Sequence, residues 1–306
     1  MVVFFENIPR ISWWCKLYLL LVMAVATWWV VSLQKELSEL REENRLLRPI
    51  AFQKQGFVYQ NSKPLDKVAM TEMDQEDEAL VRIVRDMYLI PPATIGYNLS
   101  DPKTRDHSMG QGEKIRQTLG EMKGGFFIEC GALDGETRSN SLYFERFLDW
   151  KGLLVEADPL NIQEVVQKRR KAWLAPTCLS LKRKPQLVKY MQARNIGRIL
   201  GTKEHDNFKG SLTDLLCIPI TTLLLALDKK RVDYFSLDVE GNELDVLRTI
   251  DFNKFDIRTL SVEFSNIKEG KDALLRHMME NGYILHSNVT RYDNLANDFI
   301  FVKKLF

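Results

Sequence analysis

The sequence predicts an α/β protein built on a doubly wound, mostly parallel sheet with an antiparallel C-terminal pair, carried behind one long apolar N-terminal segment. Three observations predict it. From about Gly124, short apolar runs alternate with amphipathic stretches, the grammar of strands joined by crossover helices. Acidic residues and glycines recur where those runs end. Leu17 to Leu33 carries no charged residue. The composition excludes other classes. The 306 residues are 45% hydrophobic and 27% charged, so the chain can build a core, and 16 Gly with 10 Pro exclude a collagen-like or low-complexity chain. A net charge of +2 gives no electrostatic reason to bind nucleic acid, and none is expected as a partner. Four cysteines without a CxxC pair exclude a disulfide-built scaffold and a thiolate zinc site.

The elements follow in order. Residues 1–16 form a short tail. Leu17–Leu33 (LYLLLVMAVATWWVVSL) is a transmembrane anchor, since a spanning helix needs about 17–25 apolar residues. Trp13, Trp14, Trp28 and Trp29 sit near its ends, at headgroup level. A cleaved signal peptide ending at Ala24-Val25-Ala26 is the rival, and the apolar run TWWVVSL beyond that point argues against it. Flanking Lys and Arg weakly favour a cytosolic C-terminal part. The sequons at Asn98 and Asn288 and the short tail favour the opposite, a lumen-facing type II protein, and that orientation is expected. Residues 34–75 are a stem and linker. Leu33, Leu37, Leu40, Asn44 and Leu47 keep the spacing of a short coiled coil, a seam through which two copies would pair, or of a solvated single helix. From Pro49 the pattern dissolves. Residues 76–123 are a helical lead-in and loop, with a helix over Glu76–Leu89 ended by Pro91-Pro92.

Residues 124–306 are the folded domain. Strands are expected at Phe126–Cys130, Gly152–Glu156, Ala172–Leu179, Val232–Asp238 and Thr259–Phe264, with Tyr283–His286 and Phe299–Lys303 as the antiparallel pair. Helices are expected at Asn140–Leu148, from Asp158-Pro159, over Thr221–Leu227, from Asn242 and over Ala273–Asn281.

Ligands of such sheets bind at the carboxyl ends of the strands. Those ends carry Glu129, Gly131 and Gly135, then Glu156 and Asp158, then Asp238 and Glu240. The glycines admit a ligand close to the backbone. An acid ending the second strand suits both ribose hydroxyls. Neither GxGxxG nor a Walker A motif is present, so the pattern fits an adenosyl ligand without a pyrophosphate, S-adenosylmethionine.

At GGFFIECGALDGETRSNSLYFER, GLLVEADP and VDYFSLDVEGNELDVL the sequence resembles the FkbM-type methyltransferases, over about Asp106 to Val302. The anchor and the wording DHSMGQ and CIPITTLLLAL are most similar to the Star-like branch of single-pass membrane proteins. The resemblance implies a Rossmann-like class I methyltransferase fold, adenosylmethionine as cofactor and O-methylation as reaction. It implies that Glu129, Gly131 and Gly135 line the methionine and adenosyl groove, that Glu156 holds the ribose, and that Asp238 and Glu240 sit beside the sulfonium and the acceptor. Where the family commonly has Asn-x-Gly, this chain has Leu133-Asp134-Gly135, so Asp134 either bonds the cofactor's ammonium or caps the turn. The Star-like branch implies a second function: transport of membrane-bound growth-factor precursors through the endoplasmic reticulum, Golgi and endosomes, with a membrane-bound cargo protein as partner, with or without catalysis.

Asp238 or Glu240 is the best-placed general base, although either also reads as a binding or structural carboxylate. His107, His205, His277 and His286 fall in no motif that demands one, and the loop holding His107 is placed to cover the cofactor. No metal cluster is visible. Buried free thiols are the default for the cysteines, with a Cys178–Cys217 bridge as the alternative in an oxidising lumen. The basic run Lys168–Lys171 reads as a solvated helix end rather than a phosphate site.

Overall fold

The computed structural model describes residues 13–55, 67–201, 211–293 and 295–304, with the backbone alone for residues 13–19 and 42–55. Most of the expected tail, the seam position of Asn44 and the whole of His205 lie outside the described residues and side chains. The chain divides into two units, Met1–Arg45 and Leu46–Phe306.

Helix α1 (Trp13–Gln55) begins in the first unit. Its Leu20–Arg41 stretch, with a mean hydropathy of 1.3, is long and apolar enough to cross a membrane. The one hydroxyl in the middle, Thr27, turns back on the helix and donates to the carbonyls of Met23 and Ala24, which suits an apolar surrounding. Leu33, Leu37 and Leu40 are exposed. The helix continues past Pro49, where the sequence pattern ends, because Ala51, Gln53, Lys54 and Gln55 are sound helix formers.

The second unit opens with α2 (Lys67–Met70), α3 (Glu78–Met87) and α4 (Gln111–Leu119). Asp77 caps α3 by accepting from the Ala79 and Leu80 amides, and the helix buries Leu80 and Val84. Then follow β1 (Phe126–Cys130), α5 (Leu142–Phe147), β2 (Lys151–Glu156), α6 (Pro159–Lys168), β3 (Trp173–Pro176), β4 (Gln186–Gln192), β5 (Arg198–Ile199), β6 (Ser211–Cys217), α7 (Ile220–Ala226), β7 (Arg231–Leu237), α8 (Glu243–Arg248), β8 (Asp256–Glu263), α9 (Lys271–Glu280), β9 (Tyr283–Thr290) and β10 (Asn297–Lys303).

Seven strands form one sheet in the order β3-β2-β1-β7-β8-β10-β9. The pairs through β8 are parallel, and β10 runs antiparallel to both β8 and β9. This is the Rossmann-like methyltransferase fold. Its central strand β1 is buried along its whole length, which explains why FFIEC reads as a continuous apolar run with one acid in it. Phe126, Ile128 and Cys130 face one core with α3, α7, α8 and α9, while Phe127 faces the other with α4, α5 and α6. The chain leaves β1 toward β2 on one side and reaches β7 on the other, so the switch point lies between β1 and β7.

Four features depart from the sequence reading. The end of the expected linker and the lead-in belong to the same core, since Met70 and then Leu80, Val84, Tyr88 and Leu89 pack with the sheet. An antiparallel three-stranded sheet, β5-β4-β6, was not anticipated between β3 and α7. The alternation of β4 is weak because the strand is only partly covered. Cys178 and Cys217 are bridged, joining the chain after β3 to the end of β6, and Cys130 is a buried free thiol. The basic run is not a solvated helix end. Lys168 donates to Glu136 and Ser100, both at 2.5 Å, and Lys171 donates to the carbonyls of Ala93 and Ile95. Arg170 is buried against Glu145, with side-chain exposures of 2% and 0%. It also donates to Ser139, Ser141 and the Gly135 carbonyl.

Removing one partner of a buried ion pair costs about 3–5 kcal/mol, because the other charge stays desolvated. Arg170→Met is therefore expected to lower the unfolding free energy of the full chain in detergent by that amount, measured by urea denaturation. A loss below about 1 kcal/mol would show that the pair does not hold the β1–α5 connection.

Candidate active site

A cavity of about 540 Å³ opens at the carboxyl ends of β1, β2 and β7. It lies within the size range of small-molecule sites. Glu129, Gly131, Glu156, Asp238 and Glu240 line it together, although they are spread over more than a hundred positions of sequence. Asp134, Gly135 and Asp158, expected to touch the cofactor, are not on its wall. Asp134 caps the turn: its carboxylate accepts from the amides of Glu136 and Thr137 and from the Thr137 hydroxyl. Gly135 packs beside Val165. Asp158, fully buried, caps α6 through the Leu160 amide and also accepts from the Arg194 amide.

Two of the lining acids serve the fold as well. Glu129 accepts from the Ser139 hydroxyl at 2.9 Å, the Asn140 amide at 2.6 Å and the Ser141 hydroxyl. Those hydroxyls are the ones Arg170 reaches from the other side. Glu156 Oε1 accepts from the amides of Ala157 and Asp158 and from Asn161 Nδ2, and Oε2 accepts from the Leu133 amide. One acceptor position on Oε2 therefore stays available, since a carboxylate oxygen takes two donors comfortably. Gly131 stands where β1 and β7 converge. Its φ is 81°, and a Cβ there would lie 2.3 Å from the Asp238 carbonyl oxygen, so no other residue fits without opening the sheet.

Two acceptors that the sequence did not flag belong to residues of this wall. Asn140 Nδ2 donates to Ser236 and Asn161 Nδ2 donates to Glu156, which leaves both amide oxygens buried without a partner. Both residues line the cavity. An orphaned buried acceptor costs about 1–3 kcal/mol, which a ligand donor would relieve. Arg138, also on the wall, carries a positive charge that acts on Asp238. The loop before β1 contributes Met109 and Gln111, whereas His107 turns away and lies 3.7 Å from Glu136. The small sheet contributes Tyr190 and the 194–199 segment as a further wall.

The cavity is rich in carboxylates, and burial raises several of them and the neighbouring Glu243. Desolvation pushes Glu156 and Asp298 up to about 7, Glu243 to about 8 and Glu263 to about 9, with neighbouring acids adding to all four. Asp238 stands open to the cavity yet is enclosed by protein around it, and its carboxyl is raised for the same first reason. Glu240 holds a left-handed backbone, φ 58°, and accepts from Asn266 Nδ2.

An acceptor-lined, acidic cavity at the switch point of this sheet defines a methyltransferase-type site. The methyltransferase FkbM domain matches residues 129–285, half of the chain, and the chain belongs to that family. Among solved structures, it is similar to methyltransferase FkbM from Methylobacillus flagellatus KT, at 12% identity over 58% of this chain, with a TM-score of 0.39. It is also similar to a methyltransferase from Pyrococcus furiosus, at 12% identity over 70% of this chain and 90% of that one, TM-score 0.35. A third is 1,6-didemethyltoxoflavin-N1-methyltransferase from Burkholderia thailandensis, solved with S-adenosylhomocysteine, at 9% identity over 65% of this chain and 80% of that one, TM-score 0.34. The chain spans 43% of the length of the Methylobacillus protein. No curated protein matches it.

Glu156 gives a pH test. Its folded pKa is raised, so the neutral form is favoured in the fold; that contribution is complete below the unfolded value near 4.5 and is lost as pH rises through about 7. Glu156→Gln lacks this loss. The wild type should therefore lose stability relative to Glu156→Gln by about 2–3 kcal/mol between pH 5 and 8, read from denaturation curves at each pH. A pH-independent difference would show that Glu156 stays ionised throughout.

Proposed function

We propose that the chain is a membrane-anchored S-adenosylmethionine-dependent O-methyltransferase of the secretory pathway, with its folded domain in the lumen. The observation that carries the reading is an acidic cavity at the switch point of a methyltransferase sheet, whose lining includes Asn140 and Asn161, two residues with buried, unpartnered amide oxygens. A ligand that is cationic and rich in donors suits such a wall. When bound, the cofactor supplies a methyl group already activated on a sulfonium, so the protein's task is mainly to position the partners. Glu156 Oε2 and Asn161 Oδ1 would take the ribose hydroxyls. Asn140 Oδ1 would take the ammonium, and Arg138 the carboxylate. Asp238 and Glu240 would face the acceptor, where a carboxylate can receive the hydroxyl proton.

Three observations support the compartment and topology. Leu20–Arg41 has the length and hydropathy of an anchor. Both sequon asparagines, Asn98 and Asn288, are exposed. A Cys178–Cys217 bridge suits an oxidising lumen. The exposed Leu33, Leu37 and Leu40 would let two anchored copies pair through the stem.

A second reading is favoured by one observation. Glu129 and Glu156 each take at least three protein donors, as a scaffold would require even without a cofactor. On that reading the fold serves a trafficking factor that engages membrane-bound cargo.

Calorimetric titration of the full chain in detergent separates the two. Micromolar binding of S-adenosylmethionine is expected, weakened about tenfold or more in Asn140→Leu and in Asn161→Leu. Absence of heat at millimolar ligand would contradict the transferase and leave the trafficking role. Topology has its own check: protein from secretory cells should lose mass on glycosidase treatment, with the sites mapped to Asn98 or Asn288. Unmodified asparagines at both positions would contradict a lumenal domain.

A further inference from the structure

The ends of β7 and β8 hold a second arrangement, of which the transferase reading uses only Asp238. Asp238 follows β7, Glu243 opens α8, and Glu263 ends β8. One carboxylate oxygen from each lies within 4.8 Å of the other two. Glu243 is fully buried and Glu263 is 9% exposed. Each divides its carboxylate in the same way. Oε1 of Glu243 accepts from the Val239 and Gly241 amides, at 2.9 and 3.1 Å. Oε1 of Glu263 accepts from the Ser265 hydroxyl and from Asn266 Nδ2. Oε2 of both is buried with no hydrogen-bond partner. No salt bridge involves Asp238, Glu243 or Glu263 among the described residues.

Buried acids are ordinarily paired with cations or hydrogen-bonded through every oxygen. Here the protein anchors one oxygen of each glutamate, leaves the other buried without a partner, and brings one oxygen of each within 4.8 Å of two further carboxylates. Anchored Oε1 atoms fix the orientation of the free Oε2 atoms, which is how supporting hydrogen bonds prepare a metal ligand. The spacing also fits. Oxygens on opposite sides of a calcium-sized ion stand about 4.6–5.2 Å apart, and adjacent ones stand closer. All-oxygen, all-carboxylate donors select hard cations over zinc or copper.

We propose that Asp238, Glu243 and Glu263 form a binding site for a hard divalent cation, of the calcium, magnesium or manganese class. Three protein carboxylates leave open positions on such an ion, since it takes six or more oxygen ligands. Asp238 faces the open cavity, so those positions are filled by water or by an acceptor hydroxyl; the second of these rests on the transferase reading. Arg138 is the positive charge nearest in effect to Asp238, and the ion would share that carboxylate's field with it.

The test uses the full chain in detergent, stripped with chelator and titrated with manganese, with the free ion read by electron paramagnetic resonance. One ion per chain is expected. Glu243→Gln and Glu263→Gln should each weaken it by at least about tenfold. Because each variant removes one acid from a crowded, buried cluster of three, its melting temperature without ion should equal or exceed that of the wild type, which serves as the folding control. Failure of the stripped wild type to take up manganese at millimolar concentration would overturn the proposal. So would uptake unchanged in both variants, which would place the ion elsewhere. Adenosylmethionine binding is measured on the same samples with chelator present. Ion binding without cofactor binding would sink the transferase reading and leave the cation site standing; the reverse would do the opposite.

Discussion

A single buried carboxylate organises the site. Glu129 is the one acid in a wholly buried central strand, and its three donors all come from residues 139–141. A charge at that depth is tolerated only when its hydrogen bonds are complete. The turn after β1 is therefore tied down, and Arg170, itself neutralised by Glu145, ties it from the other side. With residues 139–141 fixed, Asn140 is held on the cavity wall with its amide nitrogen on Ser236 and its oxygen buried without a partner. Cavity shape thus follows from the electrostatic needs of the core beneath it.

The same economy explains why the cavity is acidic. Glu156 anchors the turns after β1 and β2, Asp158 starts α6 and holds the Arg194 segment, and Glu243 closes the turn after β7. Each carboxylate organises backbone amides at a strand end, where parallel sheets leave them unsatisfied. The sum is a concentration of acidic groups around one enclosed space, several of them raised by burial, with Arg138 among the few cations on its wall. Cationic ligands are favoured there, whether a sulfonium or a metal ion.

Much of this was legible in the sequence. The five parallel strands and the antiparallel pair could be read because strands buried on both faces are continuous apolar runs, and the acids and glycines at their ends identify the rim. The small sheet was missed because β4 is half covered, so its pattern is neither continuous nor cleanly alternating. Arg170 was misread because a basic run at a helix end looks the same whether it meets water or a buried glutamate. Asn140, Asn161 and Arg138 carried no signal, since an amide's importance lies in which of its atoms lacks a partner, and only packing decides that. Asp134 and Asp158 show the converse: acids in the right places that the fold uses as caps.

The central claim is that segments distant in sequence enclose one adenosyl ligand. Hydrogen exchange of the full chain with and without S-adenosylhomocysteine tests it most directly. Ligand should slow exchange together at residues 129–140, 155–161, 194–199 and 236–240, and leave β9 unchanged. Protection confined to one of these segments, or found in none of them, would contradict the account.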